Sequence, residues 1–365
     1  MPLELDFEYS KRSRFLQNIN IVLNAEKKAM RLREFIITRL LMTIPTVLLL
    51  ATIVFIVMRV MPGDPVVSLM GSKVGSEEQI EIIRHALGLD RPLHIQYTEY
   101  IFNLVRGDLG YSMVRSNPVL EEILTHLPAT LELTLWSMAL AIPLGVYLGT
   151  VAAKRQGGKI DSVIRIGALV RWCIPVFWLG IMLQIVAVLY IPFFPLSGRL
   201  SAQITLNKIT GLYVLDSILT GNTAAFIDSV KHLLLPVFTL GTTMAASLAR
   251  LSRANVIEVL GEEYIKVTRL KGCPEKTIIQ KHALPNALIP ILTYAGLQIA
   301  MLMGGAMLTE TTFSWPGLGR LLLFAIGYRD FTLIQGCIVF WALIIGLVNL
   351  IVDILYAIID PRVRY

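Results

Sequence analysis

Six runs of apolar residues divide the chain: approximately Phe35–Val60, Pro128–Ala153, Val163–Phe194, Leu233–Ala249, Ala283–Thr309 and Phe331–Ile359. A bilayer core about 30 Å thick is crossed by a helix of about 20 apolar residues, and inside it no water is available to satisfy an open backbone. Runs of this length therefore predict membrane-spanning helices, and the fold class that follows is an all-α polytopic membrane protein with six transmembrane helices. Composition agrees, because 16% of the 365 residues are charged where soluble domains carry about 25%.

Loop charges predict the orientation. Lys27, Lys28, Arg31, Arg33 and Arg39 precede the first span, Lys154, Arg155 and Lys159 separate the second from the third, and Arg362 and Arg364 follow the sixth. The loop of residues 250–282 adds seven basic residues against four acidic ones. By the positive-inside rule all four stretches are cytoplasmic, with both termini inside. The net charge of +7 is thus distributed as topology signals beside apolar runs. It forms no interleaved basic and aromatic face, so nucleic acid is not an expected partner. Three cysteines, two of them in apolar runs, make no disulfide framework.

The opposite side receives an acidic loop of residues 61–127, with helical spacing around Glu77–Leu87 and turns at Pro62-Gly63-Asp64-Pro65 and Gly107-Asp108-Leu109-Gly110. It is expected to form a small outward-facing cap. A second outer loop runs from Pro195 to Lys231. A third, Thr311 to Asp330, is apolar enough at Phe313, Trp315 and Pro316 to dip back toward the membrane. Residues 1–30 are polar and mixed in charge, without the short apolar core of a cleaved signal. They read as a cytoplasmic extension, or as sequence upstream of a start at Met30, preceding one membrane domain of residues 31–365.

The charged loop contains the most specific pattern. Val256, Val259, Leu260, Tyr264, Val267 and Leu270 recur at threes and fours, as on one helical face. Gly272 supplies the positive φ that ends a helix, with Lys271 in its last turn. Pro274 and Glu275 restart a helix, Pro274 at its first position. Pro285 and Pro290 then bend the chain as it re-enters the membrane. Two helices hinged at a glycine make an elbow that presents Lys266, Arg269, Lys271 and Lys276 to the cytosol. A solvated connector has no need of such caps, whereas an elbow that transmits force does.

Other chemistry is sparse. Gly157-Gly158-Lys159 lacks the upstream glycine of a phosphate-cradling loop and is followed by Ile160. Any ATP must therefore be used by a partner, and no cofactor is expected on this chain. The histidines His85, His94, His126, His232 and His282 form no helical pair, so no metal site is expected. Glu132, Asp353, Arg165 and Arg171 fall near span ends, where long side chains snorkel. Gln184, Gln298, Gln335 and Asn349 are the candidate pore-lining residues, although amides and small residues such as Gly304, Gly305 and Ala306 also pack spans together. The same holds for Gly145 and Gly149.

The elbow resembles a motif of inner-membrane permeases of ATP-binding-cassette importers: a Glu-Ala-Ala triplet, a glycine after a short spacer, and a Leu-Pro pair further on. Here Lys266-Val267-Thr268 occupies the triplet, Gly272 the glycine and Leu284-Pro285 the pair. A basic residue in place of Glu is similar to the dipeptide, oligopeptide and nickel group. Further similarity runs through Pro62-Gly63-Asp64-Pro65, Leu87-Gly88-Leu89-Asp90-Arg91-Pro92, Gly107-Asp108-Leu109-Gly110, the segment from His282 to Pro290, the segment from Glu310 to Gly319, and Asp360-Pro361-Arg362.

The resemblance implies a type I importer permease fold in the cytoplasmic (inner) membrane and a non-catalytic pore subunit. It also implies a second permease, cytoplasmic ATPases and an external solute-binding protein as partners. Glu263, Lys266, Val267, Thr268, Arg269, Lys271, Gly272, Pro274, Leu284 and Pro285 become the ATPase-coupling residues. Di- or oligopeptides are the implied cargo, with nickel or another small solute as the alternative. Two rival classes make different demands: an ion-driven secondary transporter needs mid-span carboxylates or similar halves, and a membrane enzyme needs clustered reactive groups. The chain displays neither pattern.

Overall fold

The structure, a computed structural model, describes residues 37–38, 41–60, 77–86, 88–303 and 306–359. The N-terminal extension, Pro62-Gly63-Asp64-Pro65, Gly304, Gly305 and Asp360-Pro361-Arg362 lie outside the described residues. Thirteen helices follow in order within them: α1 (Leu41–Val60), α2 (Glu77–Ala86), α3 (Leu93–Val105), α4 (Val119–Lys154), α5 (Lys159–Cys173), α6 (Val176–Tyr190), α7 (Tyr213–Leu219), α8 (Thr223–Leu260), α9 (Glu263–Leu270), α10 (Glu275–Met303), α11 (Met307–Thr312), α12 (Leu318–Gly327) and α13 (Phe331–Ile359). Five of them, α1, α4, α8, α10 and α13, are long and apolar enough to cross a membrane. A sixth crossing is made if α5 and α6, which meet at 96°, form one span.

Small residues determine the centre of the bundle. Ser137, Ala141, Gly145 and Gly149 are buried at every fourth position of α4, where they meet α8. A Cβ on Gly145 would lie 2.5 Å from the Leu248 Cβ, and one on Gly149 would lie 2.6 Å from the Ala249 carbonyl oxygen. In lipid, helices are not driven together by the hydrophobic effect, so such close approach is the main source of attraction. α4 and α8 thereby form the spine of the fold. Their 36 and 38 residues extend roughly 55 Å at 1.5 Å per residue, well beyond the hydrocarbon core.

The loop of residues 61–127 does more than cap the bundle. Its α3 lies along α1: the Thr52 and Tyr97 hydroxyls bond at 2.7 Å, and Arg59 Nε donates to Gln96 Oε1 at 2.9 Å. Tyr100, Ile101 and Leu104 pack with Val47, Ala51 and Val339, deep along α1 and α13. The return of the chain is tied to α13 by Asp330, which accepts hydrogen bonds from Ser112 Oγ at 2.5 Å, from the Val114 amide and from the Leu333 amide.

The outer loops are packed inward. Phe313 and Trp315 are buried, and Trp315 Nε1 donates to the Ala129 carbonyl at 2.8 Å. Beneath them Glu310 accepts from Thr130 Oγ1 at 2.8 Å and from the Arg320 amide at 2.9 Å. Of the structural and interfacial roles open to Glu132 from its place near a span end, it takes a structural one, buried and paired with Arg199 of the second outer loop. The fifth span also differs from its expected reach to Thr309, since α10 ends at Met303 and a separate α11 starts at Met307.

Candidate functional site

Beyond Leu260 the chain turns at Gly261 and Glu262, and α9 begins a new helical phase at Glu263. This reset changes which residues face inward. Spacing alone put Val267 and Leu270 on the face of Val256, yet they are 50% and 88% exposed, while Ile265 is fully buried. Ile265 packs against Ile278 and Ala283 of the following helix. The signal for the reset was Gly261, which closes α8 at its C-cap.

Gly272 occupies the hinge at φ 78°, the left-handed region that L side chains enter only at a cost. Its amide donates to the Arg269 carbonyl at 3.0 Å, closing α9. Pro274, expected at the first helical position, stands instead at the cap of α10, and Glu275 begins the helix. Across the hinge Arg269 holds Glu275 with two hydrogen bonds, Nε to Oε2 at 3.2 Å and Nη2 to Oε1 at 2.9 Å. This fork–fork pairing holds the Glu275 carboxyl below the usual carboxylate range and raises Arg269.

A second brace joins the two arms. The Tyr264 hydroxyl donates to the His282 carbonyl at 3.2 Å and accepts from Asn286 Nδ2 at 2.8 Å. Asn286 also reaches the His282 carbonyl. Between Ile278 and Ala283 the helix widens to a π turn before Leu284-Pro285. Pro285 has no amide to give the Lys281 carbonyl and its ring crowds that turn, so widening relieves both constraints. The α9 and α10 arms thus form one braced elbow, with Lys266, Val267 and Leu270 on its open surface. Glu263 is exposed near Lys266 at 3.9 Å, Lys271 caps α9, and Thr268 bonds back to the Tyr264 carbonyl.

The four candidate pore residues make separate contacts. Gln184 Nε2 donates to the Leu196 and Thr312 carbonyls, fastening α6 to the outer loops. Gln298 Nε2 donates to the Tyr294 hydroxyl at 2.6 Å. On α13 Gln335 is buried and Asn349 half-buried, each with one buried polar atom unpaired. No described hydrogen bond links any two of the four.

Comparison with known proteins places this geometry in context. A family model described as a binding-protein-dependent transport system inner membrane component matches residues 141–365, and its N-terminal companion matches residues 32–134. The dipeptide transport system permease protein DppB of Alkalihalophilus pseudofirmus is 42% identical, covering 90% of this chain and 98% of that protein. DppB of Escherichia coli K12 is 40% identical over 91% of this chain and 99% of its own length. The oligopeptide transport system permease protein AppB of Bacillus subtilis is 37% identical over 91% and 99%. Among solved structures, a chain of the MetNI methionine ABC transporter in inward-facing conformations aligns with a TM-score of 0.51 at 16% identity, covering 66% of this chain and 97% of that one.

Proposed function

This chain belongs to the family of binding-protein-dependent transport system inner membrane components, and from that premise we propose that it carries di- or oligopeptides inward as the permease half of an ATP-driven importer, with the elbow as its power input. The observation that supports this most directly is the braced elbow itself. Val267 and Leu270 stand exposed among charges on a helix fixed to the bundle by Ile265, Arg269 and Tyr264. An exposed apolar pair on a rigid arm fits a groove in a cytoplasmic partner better than it fits water. ATP would then be hydrolysed by that partner, a second permease would complete the pathway, and an external binding protein would meet the outer loops. The loop charges support placing both termini in the cytoplasm.

The direct test is uptake of a labelled dipeptide by inside-out-controlled vesicles holding the full importer. Uptake is expected to require ATP and to persist when the proton gradient is collapsed. Uptake that survives ATP depletion but fails with the gradient would sink the proposal.

Charge reversal tests the docking surface. Lys266→Glu is expected to reduce co-purification of the ATPase severalfold while leaving the elbow folded, because Lys266 has only a weak surface pair at 3.9 Å. Arg269→Glu is a different perturbation: it places a carboxylate against Glu275 and opens the hinge as well. The native pair's contribution is complete above the ordinary carboxylate pKa. It fades as pH falls through the lowered Glu275 value, so acid is expected to mimic part of the Arg269 defect.

A further inference from the structure

The third apolar segment enters the bundle as two helices, α5 and α6, that meet at 96° around Ile174 and Pro175. A break at membrane depth exposes backbone groups that neither lipid nor absent water satisfies, so the protein must supply partners. Arg171 supplies one of them. Its Nη1 reaches the Ile174 carbonyl just beyond α5 at 3.4 Å. Its Nε donates to Thr242 Oγ1 at 2.9 Å, and its Nη2 donates to the Thr239 carbonyl at 2.7 Å and to Thr243 Oγ1 at 2.5 Å.

The three acceptors on α8 lie on neighbouring turns of one face at its middle, about 25 Å from either end at 1.5 Å per residue. The guanidinium therefore does not snorkel toward the cytoplasm as expected from the sequence. The Thr239, Thr242 and Thr243 hydroxyls each donate into the preceding turn of α8, which leaves the Thr242 and Thr243 lone pairs free to accept from Arg171. All the acceptors of Arg171 are neutral, and no carboxylate pairs with it among the described residues. The contact is thus directional and depends on the shape of the fork, not on charge neutralisation.

The other end of α5 is fastened to the same helix. Arg253 of α8 grips the buried Asp161 through Nε at 2.6 Å and Nη2 at 2.8 Å, and the Gly157 amide donates to the same carboxylate at 3.0 Å. α5 is therefore riveted to α8 at both ends, and α8 leads through the turn at Gly261 and Glu262 into the elbow.

We propose that Arg171 is a positioning residue for the transport cycle, locking the break of the third span onto the centre of α8 so that α5 and the root of α6 move with the elbow. The proposal rests on the reading of this chain as an ATP-driven permease. A displacement of the elbow then reaches the α5–α6 corner without slack, and α6 swings from that corner.

The test uses the full importer reconstituted with its binding protein, comparing Arg171→Lys with Arg171→Gln. Lysine keeps the charge but loses the fork, so both variants are expected to transport at least about tenfold less peptide per ATP hydrolysed, the factor that the loss of a single charge-assisted hydrogen bond would produce. Assembly and ATP hydrolysis are expected to stay near wild type. Wild-type coupling in Arg171→Lys overturns the proposal, as does a parallel loss of hydrolysis and uptake in both variants.

A second readout is independent of transport. Spin labels at the exposed Val188 of α6 and Phe238 of α8, measured in the assembled complex in nanodiscs, are expected to give a broader and longer distance distribution in Arg171→Gln. An unchanged distribution overturns the latch. If the wild-type complex shows no ATP-dependent uptake, the functional reading fails, while the distance measurement still decides the latch.

Discussion

Gly272→Val is expected to leave an assembled, membrane-inserted importer that hydrolyses ATP and moves about tenfold less peptide per ATP. Gly272 sits at φ 78°, and nothing lies within 4 Å of the position a Cβ would take. Space is therefore not the obstacle, and the whole penalty is conformational. A left-handed backbone costs an L residue about 1–2 kcal/mol, more for a β-branched side chain, and each 1.4 kcal/mol is about a factor of ten in population. The strain is relieved most readily by rotating the hinge, which pulls Arg269 from Glu275 and tilts Val267 and Leu270 away from their partner surface.

Because sterics are absent, a series ranks on backbone preference alone. Gly272→Asn, which tolerates the left-handed region, should remain close to wild type, Gly272→Ala should fall between, and Gly272→Val should be worst. The ratio of uptake to ATP hydrolysis in proteoliposomes measures this order. Equal transport by the valine and asparagine variants would remove the hinge angle from the mechanism.

The hinge was legible in the sequence because a glycine after a helical run and a proline before the next are local signals that act within a few residues. Span length was legible for a different reason, since the bilayer imposes it on every segment alike. The break in the third span escaped notice because hydropathy reports depth and not direction. Pro175 was no guide, as Pro128, Pro143, Pro236 and Pro290 all lie inside unbroken helices. What differs at Pro175 is tertiary: Arg171 reaches the Ile174 carbonyl at the open corner and is itself held by Thr239, Thr242 and Thr243 of α8. The inward face of α9 was misassigned for a related reason, because Gly261 resets the helical phase and periodicity cannot be carried across it. The same limit applies to the glutamine and asparagine candidates, as each amide finds its surroundings through contacts that no spacing encodes.

The partnership of Glu132 with Arg199 was equally invisible, for the two are 67 residues apart, and it leads to the largest expected loss of stability. Both side chains are buried, at 2% and 7% exposure. Glu132 Oε1 also accepts from the Val214 amide at 2.8 Å, and Arg199 Nη2 also donates to the Gly211 carbonyl at 2.8 Å. The guanidinium lies 3.7 Å from the Tyr213 ring centre and 5.4 Å from that of Trp315. This pair thus ties the second outer loop to α4 and to the buried tryptophan of the third. Glu132→Ala leaves the buried Arg199 cation without its counter-charge and the Val214 amide without its acceptor, which costs about 3–5 kcal/mol. The expected result is a clearly lowered melting temperature in detergent and rapid proteolysis within residues 195–212. Removing both charges together, as Glu132→Leu with Arg199→Met, is expected to recover most of that loss, because an apolar pair of similar volume replaces an ion pair at little net cost. Coupling of this kind between contacting residues is non-additive. A double variant as unstable as the sum of the two single ones would mean that the pair does not hold the loop, and that the packing of Trp315 and Tyr213 does so alone.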